Sequence, residues 1–237
     1  MLIYMVGTSR SGSTWLYNRF VEHPQITQPD FHADGNNKSS SFWKRDINFI
    51  RRLIKDYKLL CSGEFNSDLT DGSGYIPEEN ILELKKAFPQ AKLIYCVRNP
   101  IKIFWSHVNF ISSQNMSLEV LKMFKDSPDN YYDNTRHDLN ITRWEKIFER
   151  EIYKYFFTDI RDNPQKVLDG LADYIGVEPW QIEDKKLKEK VNISKASIEN
   201  KIPDEYLEWM NNNQKSNIEW CENYFKKDLS HWRLGQE

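Results

Sequence analysis

An apolar run directly followed by a loop of small residues constrains the fold of this chain more than any other feature. The run occupies residues 2–6, and residues 7–16 then read Gly-Thr-Ser-Arg-Ser-Gly-Ser-Thr-Trp-Leu. β-Branched and aromatic residues favour a strand. Small residues ahead of a helix allow backbone N–H groups to converge on an anion at the positive end of that helix. We therefore predict a strand, an oxyanion-binding loop and a helix.

The loop differs from the loops that bind nucleoside triphosphates, which follow the pattern G-x-x-x-x-G-K-[ST]. Ser13 follows Gly12 in this chain, so the lysine that reaches the β- and γ-phosphates is missing, and the cation of the loop is Arg10. The departure disfavours a P-loop kinase or NTPase, which stays as one alternative function.

A second motif follows a later apolar run at residues 93–97. It consists of Arg98-Asn99-Pro100 and of Ser106, eight positions after the arginine. The two motifs in this order resemble those of the sulfotransferases that use 3′-phosphoadenosine 5′-phosphosulfate (PAPS). Residues 157–164 and 229–232 resemble later stretches of that family, with Phe157 where the family has tyrosine, and Asn192 and Ser194 resemble a stretch near the nucleotide.

The resemblance implies which residues bind the nucleotide. The loop would hold the 5′-phosphosulfate, with Arg10 and Ser13 stabilising the leaving phosphate, whereas Arg98 and Ser106 would form a separate cluster around the 3′-phosphate. Trp15 would stack on adenine, or it packs in the core. The full set of expected nucleotide-binding residues is Arg10, Ser11, Gly12, Ser13, Thr14, Trp15, Arg98 and Ser106.

The general base is less well defined by the resemblance. Lys38 and the aromatic residues after it resemble a Lys-Glu motif of the family, but Ser39 stands where the catalytic glutamate would be. Glu64 and His32 are therefore the first candidates for the base, and Asp34 and Asp68 are the second. Glu64 could instead be a structural carboxylate that orients Arg10 or Lys38, and His32 could be a solvated loop histidine. The expected catalytic residues are Arg10, Glu64, His32 and Lys38, while His107 and His231 are expected to be structural.

Strand-like and helix-like segments alternate along the chain. Strands are predicted at residues 2–6, 59–66, 92–97 and 152–158, and helices at residues 13–21, 42–58, 77–88, 100–112, 118–124, 141–150, 164–174 and 203–227. Residues 25–41 are expected to form an acceptor-side or lid loop, and residues 185–201 a charged loop. Such alternation predicts one α/β domain over residues 1–237, with a central parallel sheet flanked by helices. The resemblance implies the P-loop NTPase-like sulfotransferase fold.

Composition excludes several classes of partner. The formal net charge is −2 and the isoelectric point is about 6.3, so we expect no general binding of nucleic acid or of membrane surfaces. The three cysteines lack metal-ligand spacing, and Cys96 lies inside an apolar run, where we expect a buried thiol. No window approaches 18 apolar residues, and the chain enters its first strand without a leader. We therefore expect a cytoplasmic protein without a membrane anchor.

The expected activity is transfer of the sulfuryl group of PAPS to a hydroxyl, or less readily an amine, of a carbohydrate, lipid or small-molecule acceptor. The product nucleotide would be adenosine 3′,5′-bisphosphate (PAP), and the resemblance implies that no metal is needed. Ser39 at the expected base position keeps a catalytically degenerate nucleotide-binding module as the other alternative. The sequence does not determine the acceptor or the oligomeric state.

Overall fold

A computed structural model describes residues 1–8, 10–26, 60–61, 78–112, 135–189 and 202–237. Within these ranges the strands are β1 (Leu2–Met5), β2 (Leu60–Cys61), β3 (Lys92–Val97) and β4 (Tyr153–Phe156). The helices are α1 (Ser13–Val21), α2 (Glu78–Ala87), α3 (Pro100–Ser112), α4 (His137–Phe148), α5 (Phe157–Asp162), α6 (Pro164–Ile175), α7 (Asp184–Leu187) and α8 (Asp204–Phe225), and a 3₁₀ helix follows at Ser230–Leu234.

The described strands form one sheet in the order β2-β1-β3-β4, and every neighbouring pair is parallel. Ile3 lies opposite Lys92, and Ile94 lies opposite Tyr153. Because parallel strands end at the same edge of a sheet, the loop after β1 and the turn after β3 come together there. The predicted α/β fold with a central parallel sheet is confirmed.

Both faces of the sheet are covered by helices. Alternate residues of β3 face opposite cores: Leu93, Tyr95 and Val97 pack with α2, α3, α4 and α8, whereas Ile94 and Cys96 pack with α1 and α6. Burial on both faces explains why the strand is apolar without interruption. The expectation of a buried thiol at Cys96 is confirmed, and burial raises the pKa of that thiol.

Most predicted bounds agree with the structure. Helix α1, strand β3 and helix α3 occupy the predicted residues, whereas α4 begins at His137 rather than at Ile141. The segments predicted at residues 25–41, 42–58 and 118–124 lie outside the described residues, apart from residues 25–26.

The strand expected to reach residue 158 ends at Phe156, because helix α5 begins at Phe157. The Asp159 carboxylate accepts a hydrogen bond from the Phe156 backbone N–H at 2.9 Å, which caps the new helix. Helix α7, at Asp184–Leu187, covers the first residues of the predicted charged loop, which was expected to begin at residue 185. Among the helices that the structure describes, none combines the length and apolar character needed to cross a bilayer.

Candidate functional site

The loop between β1 and α1 forms a tight turn just before the N-terminus of α1. Arg10 and Gly12 both have left-handed backbone conformations, with φ of 63° and 85°. Gly12 is the N-cap residue of α1, and no side chain caps the helix among the described residues. The first turn of an uncapped helix presents backbone N–H groups and the positive end of the helix dipole, which together favour an anion.

Packing explains why residue 12 is glycine. A Cβ atom at this position would lie 2.9 Å from Ile160 Cδ1 and 3.0 Å from Phe157 Cδ2, so helix α5 presses directly against the loop. Residues other than glycine rarely adopt a φ of 85°, so a side chain at position 12 would also strain the backbone. Helix α5, which was not predicted from the sequence, thus packs against the loop at Gly12 and supports it.

The two sequence motifs are in direct contact. Arg10 Nε donates a hydrogen bond to Ser106 Oγ at 3.1 Å. The Arg98 guanidinium donates through Nη1 to the Arg10 carbonyl oxygen. The clusters expected at opposite ends of the nucleotide are therefore joined through Arg10, whose side chain reaches the residue expected beside the 3′-phosphate.

Besides the Arg10 carbonyl oxygen, the Arg98 guanidinium contacts a carboxylate and an aromatic ring. Its Nε and Nη2 donate to the two carboxylate oxygens of Glu237 at 2.5 and 3.1 Å. Its Cζ lies 4.1 Å from the centroid of the Phe157 ring, a cation–π contact. Because the Arg98 guanidinium binds the Glu237 carboxylate through two hydrogen bonds, its geometry also suits other oxyanions such as a phosphate.

Asn99 links the Arg98 turn to the last residues of the chain. The Asn99 Nδ2 donates to the carbonyl oxygens of Trp232 and Gln236 at 3.1 and 2.7 Å. Its Oδ1 accepts from the Ile101 backbone N–H at 2.9 Å and so caps helix α3. Asn99 therefore positions both the helix that carries Ser106 and the segment that carries Glu237.

Two histidines lie next to these residues. His107 follows Ser106, and burial, reinforced by the positive charge of Arg10, lowers the pKa of His107 to about 4. Burial also lowers the pKa of His137 to about 4. The His137 ring lies between the Tyr95 hydroxyl, at 2.8 Å from Nδ1, and the Arg98 carbonyl oxygen, at 2.6 Å from Nε2.

Three of the expected loop residues are mostly buried. Ser11 and Ser13 are 0% and 5% exposed, and the Ser11 hydroxyl donates to the Thr8 carbonyl oxygen at 2.6 Å. This buried hydrogen bond within the loop stabilises its conformation. Trp15 is 4% exposed, packs in the core on the α1 side of the sheet and donates through Nε1 to the Leu187 carbonyl oxygen at 3.1 Å. Such packing is the structural role considered for Trp15, and stacking on adenine stays a prediction.

The expected acceptor-side residues lie outside the described residues. They are His32, Asp34, Lys38, Glu64 and Asp68, together with Asn192 and Ser194 of the predicted charged loop. Their roles stay predictions. Within the described ranges, no cluster of three or more His, Cys, Asp or Glu residues could hold a metal ion, and the metal independence implied by the resemblance also stays a prediction.

Two residues of this site, Glu237 and His137, were not predicted from the sequence. Glu237 gives no local signal, because a glutamate at the far end of the chain is ordinary in a solvated tail. His137 lay ahead of the predicted start of its helix, and the polar stretch around it hid its burial. One signal for His137 was available in the sequence. It lies four residues before Ile141, and this spacing places it on the buried face of α4.

Comparison with known families agrees with this geometry. Residues 76–182 match the sequence model described as "Sulfotransferase family", a stretch that includes Arg98 and Ser106 but not the loop at residues 7–16. The family match therefore covers the second motif, and the first motif lies in contact with it. A search of the curated proteins gives no sequence match.

Solved structures share the fold. A sulfotransferase from Alicyclobacillus acidocaldarius superposes with a TM-score of 0.69 at 17% identity, over 98% of both chains. Mouse sulfotransferase SULT7A1 complexed with PAP superposes with a TM-score of 0.51 at 19% identity, over 79% of this chain and 63% of that one. The resemblance predicted from the two motifs is confirmed: this chain has the sulfotransferase fold and matches the sulfotransferase family in sequence over residues 76–182.

Proposed function

We propose that residues 1–237 form one sulfotransferase domain that moves the sulfuryl group of PAPS to a hydroxyl, or less readily an amine, of a carbohydrate, lipid or small-molecule acceptor. The observation that carries the proposal is the contact network of Arg10, Arg98 and Ser106 at the N-terminus of α1. It joins two anion-binding motifs at the sheet edge where ligands of open α/β sheets bind. The mouse structure with PAP adds support, since it shares the fold.

The residues of this site fit the two anionic ends of PAPS. The uncapped N-terminus of α1 suits the 5′-phosphosulfate, because backbone N–H groups and the helix dipole both favour negative charge there. Arg98 suits the 3′-phosphate, since its guanidinium already binds two carboxylate oxygens in a bidentate arrangement. Binding of the 3′-phosphate at Arg98 then requires the Glu237 carboxylate to leave.

In the proposed reaction, a bond forms between the acceptor oxygen and sulfur while the bond between sulfur and the leaving phosphate oxygen breaks. The leaving oxygen gains negative charge, which Arg10 and the first turn of α1 stabilise. The acceptor proton passes to a base, for which Glu64 and His32 are the candidates, and Lys38 would contact the sulfuryl oxygens.

Binding of PAP, measured by isothermal titration calorimetry, tests the donor. We expect PAP to bind more tightly than ATP and 5′-AMP, and a transfer assay on a panel of hydroxyl acceptors to release PAP from PAPS. Tighter binding of ATP would support a kinase or NTPase instead. Binding of PAP without turnover on any acceptor would support a degenerate module.

Replacing Arg98 tests the nucleotide site. Arg98→Ala removes the charged partner of the 3′-phosphate, so PAP affinity should fall about tenfold to hundredfold. Arg150→Ala is the matched control, because the Arg150 guanidinium donates to the Ala91 carbonyl oxygen just before the opposite end of β3. Equal affinity of wild type and Arg98→Ala would remove Arg98 from the site. The acceptor class and the cytoplasmic location expected from the sequence stay predictions.

A further inference from the structure

We propose that His137 is a positioning residue for recognition of the 3′-phosphate: its ring fixes the backbone at Arg98 and thereby sets the preference for nucleotides that carry this phosphate. The inference rests on the proposed function. His137 is the first residue of α4 and is 0% exposed. Its side chain touches the backbone of Arg98 although 39 residues separate the two.

The direction of each hydrogen bond follows from the partners. A carbonyl oxygen only accepts, so His137 Nε2 must carry the proton that it shares with the Arg98 carbonyl oxygen. The ring is neutral because burial opposes its charged form, and Nδ1 therefore accepts the hydrogen bond donated by the Tyr95 hydroxyl. The Arg98 carbonyl oxygen thus fixes the tautomer of His137, and the Tyr95 hydroxyl satisfies the ring nitrogen that carries no proton.

The backbone at Arg98 needs this support because sheet pairing ends just before it. The last pair between β3 and β4 joins Val97 to Phe156. A carbonyl that is partly shielded from water and has no partner is costly, and His137 supplies the donor that a neighbouring strand supplies elsewhere in β3. Tyr95 lies three residues before Arg98, so one ring binds the strand at two points and holds its final residues in place.

A fixed backbone matters at Arg98 because its side chain makes three contacts that depend on its position. The guanidinium reaches the Arg10 carbonyl oxygen, the Glu237 carboxylate and the Phe157 ring. A displacement of the Arg98 backbone would move the guanidinium relative to the loop. The 5′ end of the nucleotide would still bind at α1, while the 3′-phosphate would lose its bidentate partner.

The test compares the affinity for PAP with that for 5′-AMP, which lacks the 3′-phosphate, in the full-length protein. His137→Leu removes both hydrogen bonds, and we expect the PAP/5′-AMP affinity ratio to fall about tenfold. His137→Gln should retain most of the ratio, since its amide N–H lies near the position of Nε2–H. Tyr95→Phe, which keeps the ring and removes the hydroxyl, should lower the ratio by a smaller factor and serves if His137→Leu does not fold.

Two further variants separate positioning from general loss of stability. Ile141→Ala removes a fully buried side chain one turn further along the same helix without touching Arg98, and it should leave the ratio unchanged. In an Arg98→Ala background, His137→Leu should produce no additional fall in the ratio.

An unchanged ratio in folded His137→Leu and Tyr95→Phe, or an equal fall in Ile141→Ala, would overturn the inference while leaving the proposed function intact. If the wild-type protein itself showed no preference for PAP, the proposed function would fail as well.

Discussion

Gly12 is constrained both by its backbone and by its neighbours. Replacing it with alanine incurs the left-handed backbone cost of about 1–2 kcal/mol and also forces a Cβ atom to within 3.0 Å of helix α5. We expect Gly12→Ala to lower the free energy of unfolding and to weaken PAP binding, measured by urea denaturation and calorimetry.

Gly176 provides the matched control for this substitution. Its φ is 86°, almost that of Gly12, but a Cβ atom there would meet nothing within 4 Å. Gly176→Ala should show only the backbone cost, and the difference between the two variants, about 1–3 kcal/mol, measures the overpacking against α5. An equal fall in the free energy of unfolding in the two variants would mean that α5 accommodates the added Cβ atom without destabilising the protein.

The proposed function places Glu237 in competition with the nucleotide for Arg98. Glu237→Gln removes the negative charge that Arg98 holds, so PAP should bind about threefold more tightly or better. Glu222→Gln is the control, because Glu222 forms a similar bidentate pair with Arg233 at 2.9 Å for both bonds. Weaker PAP binding in Glu237→Gln would instead indicate that the carboxylate orients Arg98 for the ligand.

At the scale of single residues, the sequence identified candidates for the site but not their contacts. Arg10 was singled out by the small residues of its loop, and Arg98 and Ser106 by the resemblance of their motif to that of the sulfotransferases; their roles stay predictions. Their mutual contacts were not predicted, since spacing along the chain does not reveal that the Arg10 side chain reaches across to α3. Glu237 was missed for the same reason, because its partner lies 139 residues away.

Helix α6 packs against β4 through a glycine. A Cβ atom at Gly170 would lie 2.3 Å from the Tyr153 hydroxyl oxygen but 3.4 Å or more from the other atoms of that ring. Gly170→Ala should therefore destabilise the protein although alanine favours a helix over glycine by about 1 kcal/mol. In a Tyr153→Phe background the same change should become neutral or stabilising, because the obstructing oxygen is gone.

Thermal unfolding of the four variants in this cycle checks the prediction. A loss of equal size in both backgrounds would show that something other than the Tyr153 hydroxyl opposes a side chain at residue 170.

At the scale of elements, bounds were predicted best where a glycine or a proline stands at the start of a helix, as Gly12 does before α1 and Pro100 does in α3. They were predicted worst where a tertiary contact sets the end of the element. Strand β4 stops at Phe156 because Asp159 caps the next helix, and α4 begins at a buried histidine that hydrophobicity alone does not identify.

At the scale of the whole molecule, buried histidines predict how stability depends on pH. The pKa values of His107 and His137 are lowered to about 4, against about 6.5 in the unfolded chain. Between these values the unfolded chain binds more protons, so acid favours unfolding. The contribution of each histidine is complete above about pH 6.5 and is lost as the pH falls toward about 4.

Urea denaturation between pH 7 and pH 5 measures this effect, with a slope of at most about 1.4 kcal/mol per pH unit for each histidine. Carboxylates such as Glu222, whose pKa is lowered by Arg233, contribute mainly at more acidic pH. His137→Gln should reduce the slope by the share of one histidine, and a slope unaffected by this change would contradict the neutral, buried state of His137.

The hydrogen-bonded chain of Tyr95, His137 and Arg98 also has an evolutionary consequence. A tyrosine three positions ahead of the arginine, joined to a distant histidine, can be searched for in genomes without any structure. Lineages that replace the histidine with an apolar residue should have little reason to keep the hydroxyl, so the two positions should change together. Such joint changes would divide homologous sequences into subgroups that differ in how the backbone of the arginine is held.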